Sequence, residues 1–336
     1  MKLIEEIKEQ ARKAPQRIVL AEGEEERTLK AAEICCKDGI AIPVLVGKEE
    51  KINDLIHSSG VDLSGIEVID PDSSPEMGKY ISIYIEARGG KRVTPKMAER
   101  LVKKPLYFGA AMVSAGDVSG MVAGCMSLTA TVIKATQMMV GLEDGVSAPS
   151  SFFVMSVPDC PYGENGNFIY ADAGVNPDPS PEELAEIAIL SARSAQYLLG
   201  WEPRVGMLSF STKGSAGHKL TDKVVEATKL AKETAPDLSI DGEFQLDAAI
   251  VPSVAERKVK DGSDVAGKAN ILIFPDLNAG NIGYKMTQYL AKAAAYGPLL
   301  QGFKVPVNDL SRGASVEDIV GVMAFTTVQA QARNSS

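Results

Sequence analysis

The sequence predicts an α/β protein of two domains, each a mostly parallel sheet flanked by helices. Short apolar runs recur along the chain, each followed by a Gly- or Ser-rich turn and then by helical periodicity. The length of 336 residues also exceeds what one hydrophobic core usually serves. In chain order, MKLIEEI opens an amphipathic helix, and the strand candidates are RIVLAEG, IPVLVG, IEVID, SGMVAG, SFFVMSV, NFIYADAG, RVGMLSFS, LSIDGEF and ILIFPDL. Such buried runs suit parallel sheets covered on both faces. The clearest helix start is PSPEEL, where Ser180 caps, Pro181 takes the first helical position and Glu183 completes a capping box. Leu184, Ile187, Ala188 and Leu198 then form its packing face. Residues 141–150, GLEDGVSAPS, and 295–302, AYGPLLQG, break the pattern. They divide the chain into a first domain, 1–145 plus 302–336, and an inserted second domain, 146–301. The terminal QARNSS reads as a frayed tail.

Composition excludes several classes of function. There are 35 Lys plus Arg against 44 Asp plus Glu, and no segment concentrates basic residues, so neither nucleic acid nor an anionic membrane is an expected partner. No apolar run reaches the length of a membrane span, and the N-terminus lacks the apolar core of a signal peptide. Cys35, Cys36, Cys125 and Cys160 have no paired zinc-ligand spacing, which fits free thiols in a reducing, cytoplasmic compartment. No metal site is expected.

Ligands of parallel α/β folds gather where strands run into helices. In RVGMLSFSTKGSAG, Ser211, Thr212 and Lys213 follow a strand and precede a helix, which is either a phosphate seat or an ordinary cap. The spacing is not that of a Walker A loop. FPDLNAGNIGYK repeats the layout with Asn281, Tyr284 and Lys285. Asp241, Glu243 and Asp247 read as turn carboxylates, and the only histidines, His57 and His218, as exposed or helix-initiating residues. No G-x-G-x-x-G follows the first strand, which argues against a nicotinamide-dependent oxidoreductase. Arg27 reads as a helical partner of Glu24 or Glu25, and Arg88, before two glycines, as a complement to a helix end.

The stretch PVNDLSRGASVEDIV, residues 305–319, sets Asn308, Ser311 and Arg312 ahead of a capping-box pattern that runs from Ser315 to Asp318. One reading has Asp318 cap the last helix and pair with Arg312. The other holds a hydroxyl, a guanidinium and a carboxylate together to activate a nucleophile and stabilise an anion.

SVPDCPYG, EPRVGMLSFSTKGSA, DGEFQLDAAIVPSVA, FPDLNAGNIGYK, YGPLLQG and PVNDLSRGASVEDIV together resemble the phosphate acetyltransferase family, and IVLAEGEEERTLKAA extends the likeness to the N-terminus. The resemblance implies interconversion of acetyl-CoA and phosphate with acetyl phosphate and CoA, without a metal or permanently bound cofactor. It also implies a homodimer with an architecture like that of isocitrate and isopropylmalate dehydrogenases, the active site lying in the interdomain cleft. Asp318 would be the base for the CoA thiol, Ser311 would position it, and Arg312 would stabilise the transition state. Arg88 matches an arginine used for substrate anions, and the other implied substrate contacts are Ser127, Thr129, Thr131, Lys134, Ser211, Thr212, Lys213, Asn281, Tyr284, Lys285 and Asn308. A carboxylate of ordinary pKa is a weak base for a thiol, so burial of Asp318 or a lowered thiol pKa is expected to narrow the gap.

One segment departs from the family pattern S-G-A-A-H-S-x-x-D-T-x-R-P. Here the chain reads AGCMSLTATVIKATQ. An alignment with a one-residue gap puts Met126 at the histidine, Ala130 at the aspartate, Ile133 at the arginine and Lys134 at the proline. Lys134 is left to supply the charge, as a point rather than a fork. The segment is closer to the phosphate butyryltransferase branch, which keeps a butyryl or propionyl preference open. Loss of those residues also leaves open a non-catalytic regulator that binds acyl phosphate or CoA.

Overall fold

The computed structural model describes residues 2–90 and 93–334. The chain divides into two compact units, one of residues 2–144 with 303–336 and one of residues 145–302. The first unit contains α1 (Lys2–Lys13), β1 (Arg17–Leu20), α2 (Glu26–Lys37), β2 (Ile42–Val46), α3 (Glu49–Ser59), β3 (Glu67–Ile69), α4 (Met77–Ala87), α5 (Pro95–Val102), α6 (Pro105–Ser114), β4 (Gly120–Ala123) and α7 (Thr129–Met139). The chain then forms the second unit from β5 (Ser150–Ser156), β6 (Asn167–Ala171), α8 (Pro181–Leu199), β7 (Arg204–Leu208), α9 (Lys219–Thr234) and β8 (Ser239–Phe244). That unit continues with α10 (Leu246–Ile250), α11 (Pro252–Lys258), β9 (Ile271–Ile273), α12 (Leu277–Leu290) and β10 (Ala294–Gln301). Returning to the first unit, it ends with β11 (Val307–Asp309) and α13 (Val316–Asn334).

In the first unit five parallel strands run in the order β11-β4-β1-β2-β3. Val19, Val44, Met121 and Val307 from four of these strands join one core with Tyr80 and Phe108. Residues 106–113 of α6 are all buried, as its apolar sequence requires. α13 closes the unit by packing on α1, α2 and β4, with Phe325 fully buried. The expected frayed tail is helical as far as Asn334, and Gln331 donates to the carbonyls of Gln10, Ala11 and Ala14. Ser335 and Ser336 lie outside the described residues.

The six-stranded sheet of the second unit is ordered β10-β5-β6-β9-β7-β8. β6, β9, β7 and β8 are mutually parallel, whereas β5 runs antiparallel to both β6 and β10. Two strands have no counterpart in the sequence reading. β10 contains Gly297 and Pro298, which read as a boundary, and β11 is only three residues long with two polar side chains. Both polar side chains of β11 are buried, so the tertiary setting overrides the local signal. The capping box of α8 forms as expected: Ser180 Oγ accepts from the Glu183 amide at 3.2 Å and Glu183 Oε2 from the Ser180 amide at 2.8 Å.

Candidate active site

In the first unit the strand order changes direction at β1. The chain adds β2 and β3 on one side and then returns to place β4 and β11 on the other. The carboxyl ends of β1, β4 and β11 therefore adjoin at a topological switch point, the usual place for a ligand in an open parallel sheet. Three loops leave this edge: residues 21–25 into α2, 124–128 into α7 and 310–315 into α13.

Charged side chains stitch the loops together. Glu22 accepts from the amides of Gly124 at 2.8 Å and Met126 at 3.2 Å, tying the first loop to the second. Arg27, in the first turn of α2, pairs through Nε with Glu25 at 2.6 Å. Its Nη1 donates to the carbonyls of Arg312 at 3.0 Å and Ala314 at 2.7 Å, and its Nη2 to Cys125 at 3.4 Å. Arg27 is thus more than the helical ion-pair partner its sequence context suggests, because one planar fork serves all three loops. Burial pushes the Cys125 thiol up to about 11, so that sulfur is a neutral group beside the arginine.

Asp309 ends β11 with a buried carboxyl. Its Oδ2 accepts from Thr129 Oγ1 at 2.5 Å, and its Oδ1, also buried, has no hydrogen-bond partner among the described residues. Burial, reinforced by nearby Glu22, raises its pKa to about 7 despite the Thr129 hydroxyl and the Leu310 amide. Gly124 makes room for this carboxyl: at φ +119° it carries no Cβ, and one placed there would lie 2.4 Å from Asp309 Oδ1.

Ser311 and Arg312 sit on the exposed part of the third loop. The Arg312 guanidinium makes no ion pair among the described residues, while its carbonyl is fixed by Arg27. The capping box of α13 is formed: Asp318 Oδ2 accepts from the amide and hydroxyl of Ser315, each at 2.9 Å, and the Asp318 amide donates to Ser315 Oγ at 3.1 Å. Asp318 is nevertheless exposed, which removes burial as one of the two expected ways to narrow the gap to the thiol, and no hydrogen bond or ion pair joins it to Arg312 among the described residues. Arg88 caps the C-terminal end of α4 ahead of Gly89 and Gly90, with its side chain exposed. Ser127, Thr131 and Lys134 line one cavity of about 650 Å³ in the first unit, together with Glu22, Glu24 and Lys104. Thr129 is bonded to Asp309. Asn308 corrects the sequence reading: it is fully buried and donates to Thr326 Oγ1 at 2.8 Å and Gln329 Oε1 at 2.6 Å, fastening β11 to α13.

In the second unit the expected phosphate seat is filled by the protein's own acid. Glu243 Oε1 accepts from the Ser211 hydroxyl and the Gly214 amide, both at 2.8 Å, and Ser211 is fully buried. Thr212 is buried against Gln245, whose amide donates to Thr212 Oγ1 at 2.9 Å. Lys213 Nζ is held by Asp241 at 2.7 Å and the Gly242 carbonyl at 2.8 Å. Burial alone would raise the pKa of Asp241, but hydrogen bonds from Lys213, Ser263 and Lys232 bring it below the ordinary value. Asp241 and Glu243 are thus internal anchors rather than turn carboxylates. Asn281 donates to the Ala173 carbonyl at 3.1 Å, and Tyr284 stacks on Phe153 at 4.1 Å between ring centroids. Lys285 stays exposed, its ammonium 5.7 Å from the Tyr284 ring centroid. His218 initiates α9 as expected, its Nδ1 accepting from the Leu220 amide at 3.2 Å.

Residues 2–327 match the family model described as phosphate acetyl/butaryl transferase. The chain belongs to that family. It is 53% identical over 331 residues to a phosphate acetyltransferase of Thermoanaerobacterium thermosaccharolyticum, covering 98% of this chain and 100% of the relative. The crystal structure of a phosphotransacetylase from Streptococcus pyogenes superposes with a TM-score of 0.91 at 38% identity, covering 98% of each chain. At the level of fold alone, 4-hydroxythreonine-4-phosphate dehydrogenase from Burkholderia phymatum matches with a TM-score of 0.51 at 13% identity, covering 95% of this chain and 97% of that one. The sequence reading names Ser311 and Arg312 on the third loop but does not name Glu22, Asp309 or the wider reach of Arg27 as site residues. Asp309 carries no local signal, because with Asn308 it makes the three-residue β11 read as a polar turn. Nothing local signals the further bonds of Arg27, whose carbonyl acceptors lie about a hundred or more positions away in the chain.

Proposed function

We propose that the chain catalyses reversible transfer of an acetyl group between CoA and inorganic phosphate. The full-length match to relatives named phosphate acetyltransferase carries this reading. The Arg312 guanidinium, which makes no ion pair among the described residues, supports it from a loop braced by Arg27, because a cation is what an anionic transition state needs. In the direction of acetyl-CoA formation, Asp318 takes the proton from the CoA thiol. The thiolate attacks the acetyl carbonyl carbon, a C–S bond forms, the C–O bond to phosphate breaks and phosphate leaves with the electron pair. Ser311 orients the sulfur and Arg312 stabilises the developing charge. A reference thiol has a pKa of about 8.5 and a carboxylate one of about 3.9. With Asp318 exposed, the gap is narrowed from the thiol side, where Arg312 favours the thiolate.

Ser127, Thr131, Lys134 and Arg88 are available in the first unit for substrate anions. In the second unit the exposed Lys285 is available to serve as a cation, whereas Ser211, Thr212, Lys213, Asn281 and Tyr284 already have internal partners. No permanently bound cofactor is required, because both substrates bring the reacting groups. A homodimer and a cytoplasmic location belong to the same reading. A longer acyl preference is the alternative that the cavity beside Lys134 keeps in view, since it is larger than an acetyl group requires. The test is thiol consumption with acetyl, propionyl and butyryl phosphate. The highest kcat/KM is expected for acetyl, with each added methylene costing on the order of tenfold or more. CoA binding with no turnover of any chain length would instead identify a regulator.

A further inference from the structure

α7 begins without a side-chain cap, because its N-cap residue Leu128 has no acceptor to offer. Thr129, the first residue of that helix, turns its hydroxyl to Asp309 instead and donates to Oδ2 at 2.5 Å. Asp309 is the last residue of β11 and lies in register with Ala123 of β4, at the point where β4 gives way to the second loop. A side chain at Gly124 would collide with Asp309 Oδ1 and with the amide and carbonyl of Leu310, so the second and third loops meet directly at this carboxyl group. Asp309 Oδ1 is also the one carboxyl oxygen among the described residues that is buried without a hydrogen-bond partner. An acid held this way costs stability, and groups kept at such a cost concentrate at functional sites.

The third loop carries Ser311 and Arg312 immediately beyond Asp309 and Leu310, and it has two anchors. Arg27 holds it in the middle, at the carbonyls of Arg312 and Ala314. Asp309 holds it at the root and, through Thr129, ties it to the helix that carries Lys134.

We propose that Thr129 and Asp309 are a positioning pair for acyl transfer, the bond between them setting the loop of Ser311 and Arg312 against the start of α7. Thr129 is thereby reassigned from the substrate contact that the resemblance implies, since its hydroxyl is spent within the protein. The pair rests on the acyl-transfer reading only for the reaction that is measured. Asp309 serves as a neutral acid, because burial and nearby Glu22 both oppose its ionisation. Glu22 holds the Gly124 and Met126 amides, so a charge on Asp309 would press the second and third loops apart. No cation is placed to offset that charge. Of the helices and strand packed on β11, β4 has no titratable side chain, α7 has only the exposed Lys134, and the start of α13 has the exposed acids Glu317 and Asp318. Arg27 is committed to Glu25 and to loop carbonyls, and the Cys125 thiol stays neutral.

Thr129→Val removes the hydroxyl at nearly constant shape, Thr129→Ser restores it, and Asp309→Asn keeps an acceptor that cannot ionise. Ser180→Ala, at the start of α8 in the other unit, loosens the chain elsewhere as a control. Hydrogen exchange of the 310–315 amides, which needs no turnover, should rise about fivefold or more in Thr129→Val and return in Thr129→Ser. In transfer from acetyl phosphate to CoA, Thr129→Val should lower kcat about tenfold or more with both KM values within about twofold, because a displaced Arg312 weakens the transition state rather than ground-state binding. Thr129→Ser should recover most of that rate, and Ser180→Ala should change neither readout. The parental kcat should fall as pH rises through about 7, and Asp309→Asn should lack that fall. Parental exchange or parental kcat in Thr129→Val, a loss expressed in KM alone, or superimposable pH profiles for the parent and Asp309→Asn overturns the proposal. A parent chain that transfers no acyl group rejects the enzymatic reading, and the exchange result alone then decides the pair.

Discussion

At Asp309 the fold keeps a carboxyl group away from water, with one oxygen bonded to Thr129 and the other without a hydrogen-bond partner among the described residues. Its pKa of about 7 in the folded chain stands against an ordinary 3.8, so across that window the folded state holds a proton that the unfolded chain has released. The stability from the neutral acid is fully present below the ordinary value, falls as pH rises through about 7 and is then lost. Asp309→Asn keeps the acceptor for Thr129 but cannot ionise. Chemical denaturation at pH 4 and pH 8 should show the variant gaining on the parent by up to about 4 kcal/mol at the higher pH. An unchanged difference between the two pH values would mean that Asp309 ionises freely. Arg27 illustrates what sequence alone cannot supply at this scale. Its pair with Glu25 was legible from spacing, but its bonds to Arg312, Ala314 and Cys125 depend on β11 and β4 lying beside β1, which only the folded sheet establishes.

At the scale of elements, the legible pieces were those whose local signals agree with their tertiary setting. α8 is the clearest: Ser180, Pro181 and Glu183 announce its start, and Leu184, Ile187, Ala188 and Leu198 are all buried. Ser180→Ala should therefore cost about 1 kcal/mol, seen as a lower denaturation midpoint with unchanged slope. No shift in the midpoint would mean that the cap is replaced by solvent. β10 and β11 were illegible for opposite reasons. Gly297 and Pro298 break the pattern inside β10, and the polar Asn308 and Asp309 disguise β11 as a turn. Both side chains of β11 turn out to be internal, Asn308 as a fastener to α13 and Asp309 as a brace to α7. The Ser211–Lys213 loop shows the converse error. It has the composition of an anion seat, but whether such a seat is vacant depends on Glu243, thirty-two residues beyond Ser211 and one strand over.

For the whole molecule, two α/β units and a family-length match give the reaction class, and the loops leaving β1, β4 and β11 hold the residues proposed here for the chemistry. The central claim is that this chain moves an acetyl group from phosphate to CoA with Asp318 as the base. The most direct test is acetyl-CoA formation from acetyl phosphate and CoA by the parent chain and by Asp318→Asn, with circular dichroism verifying the fold of each. The parent should turn over, and the variant should lose about 10²- to 10⁴-fold in kcat, the usual contribution of a general base. An Asp318→Asn chain that forms acetyl-CoA at the parental rate would contradict the account.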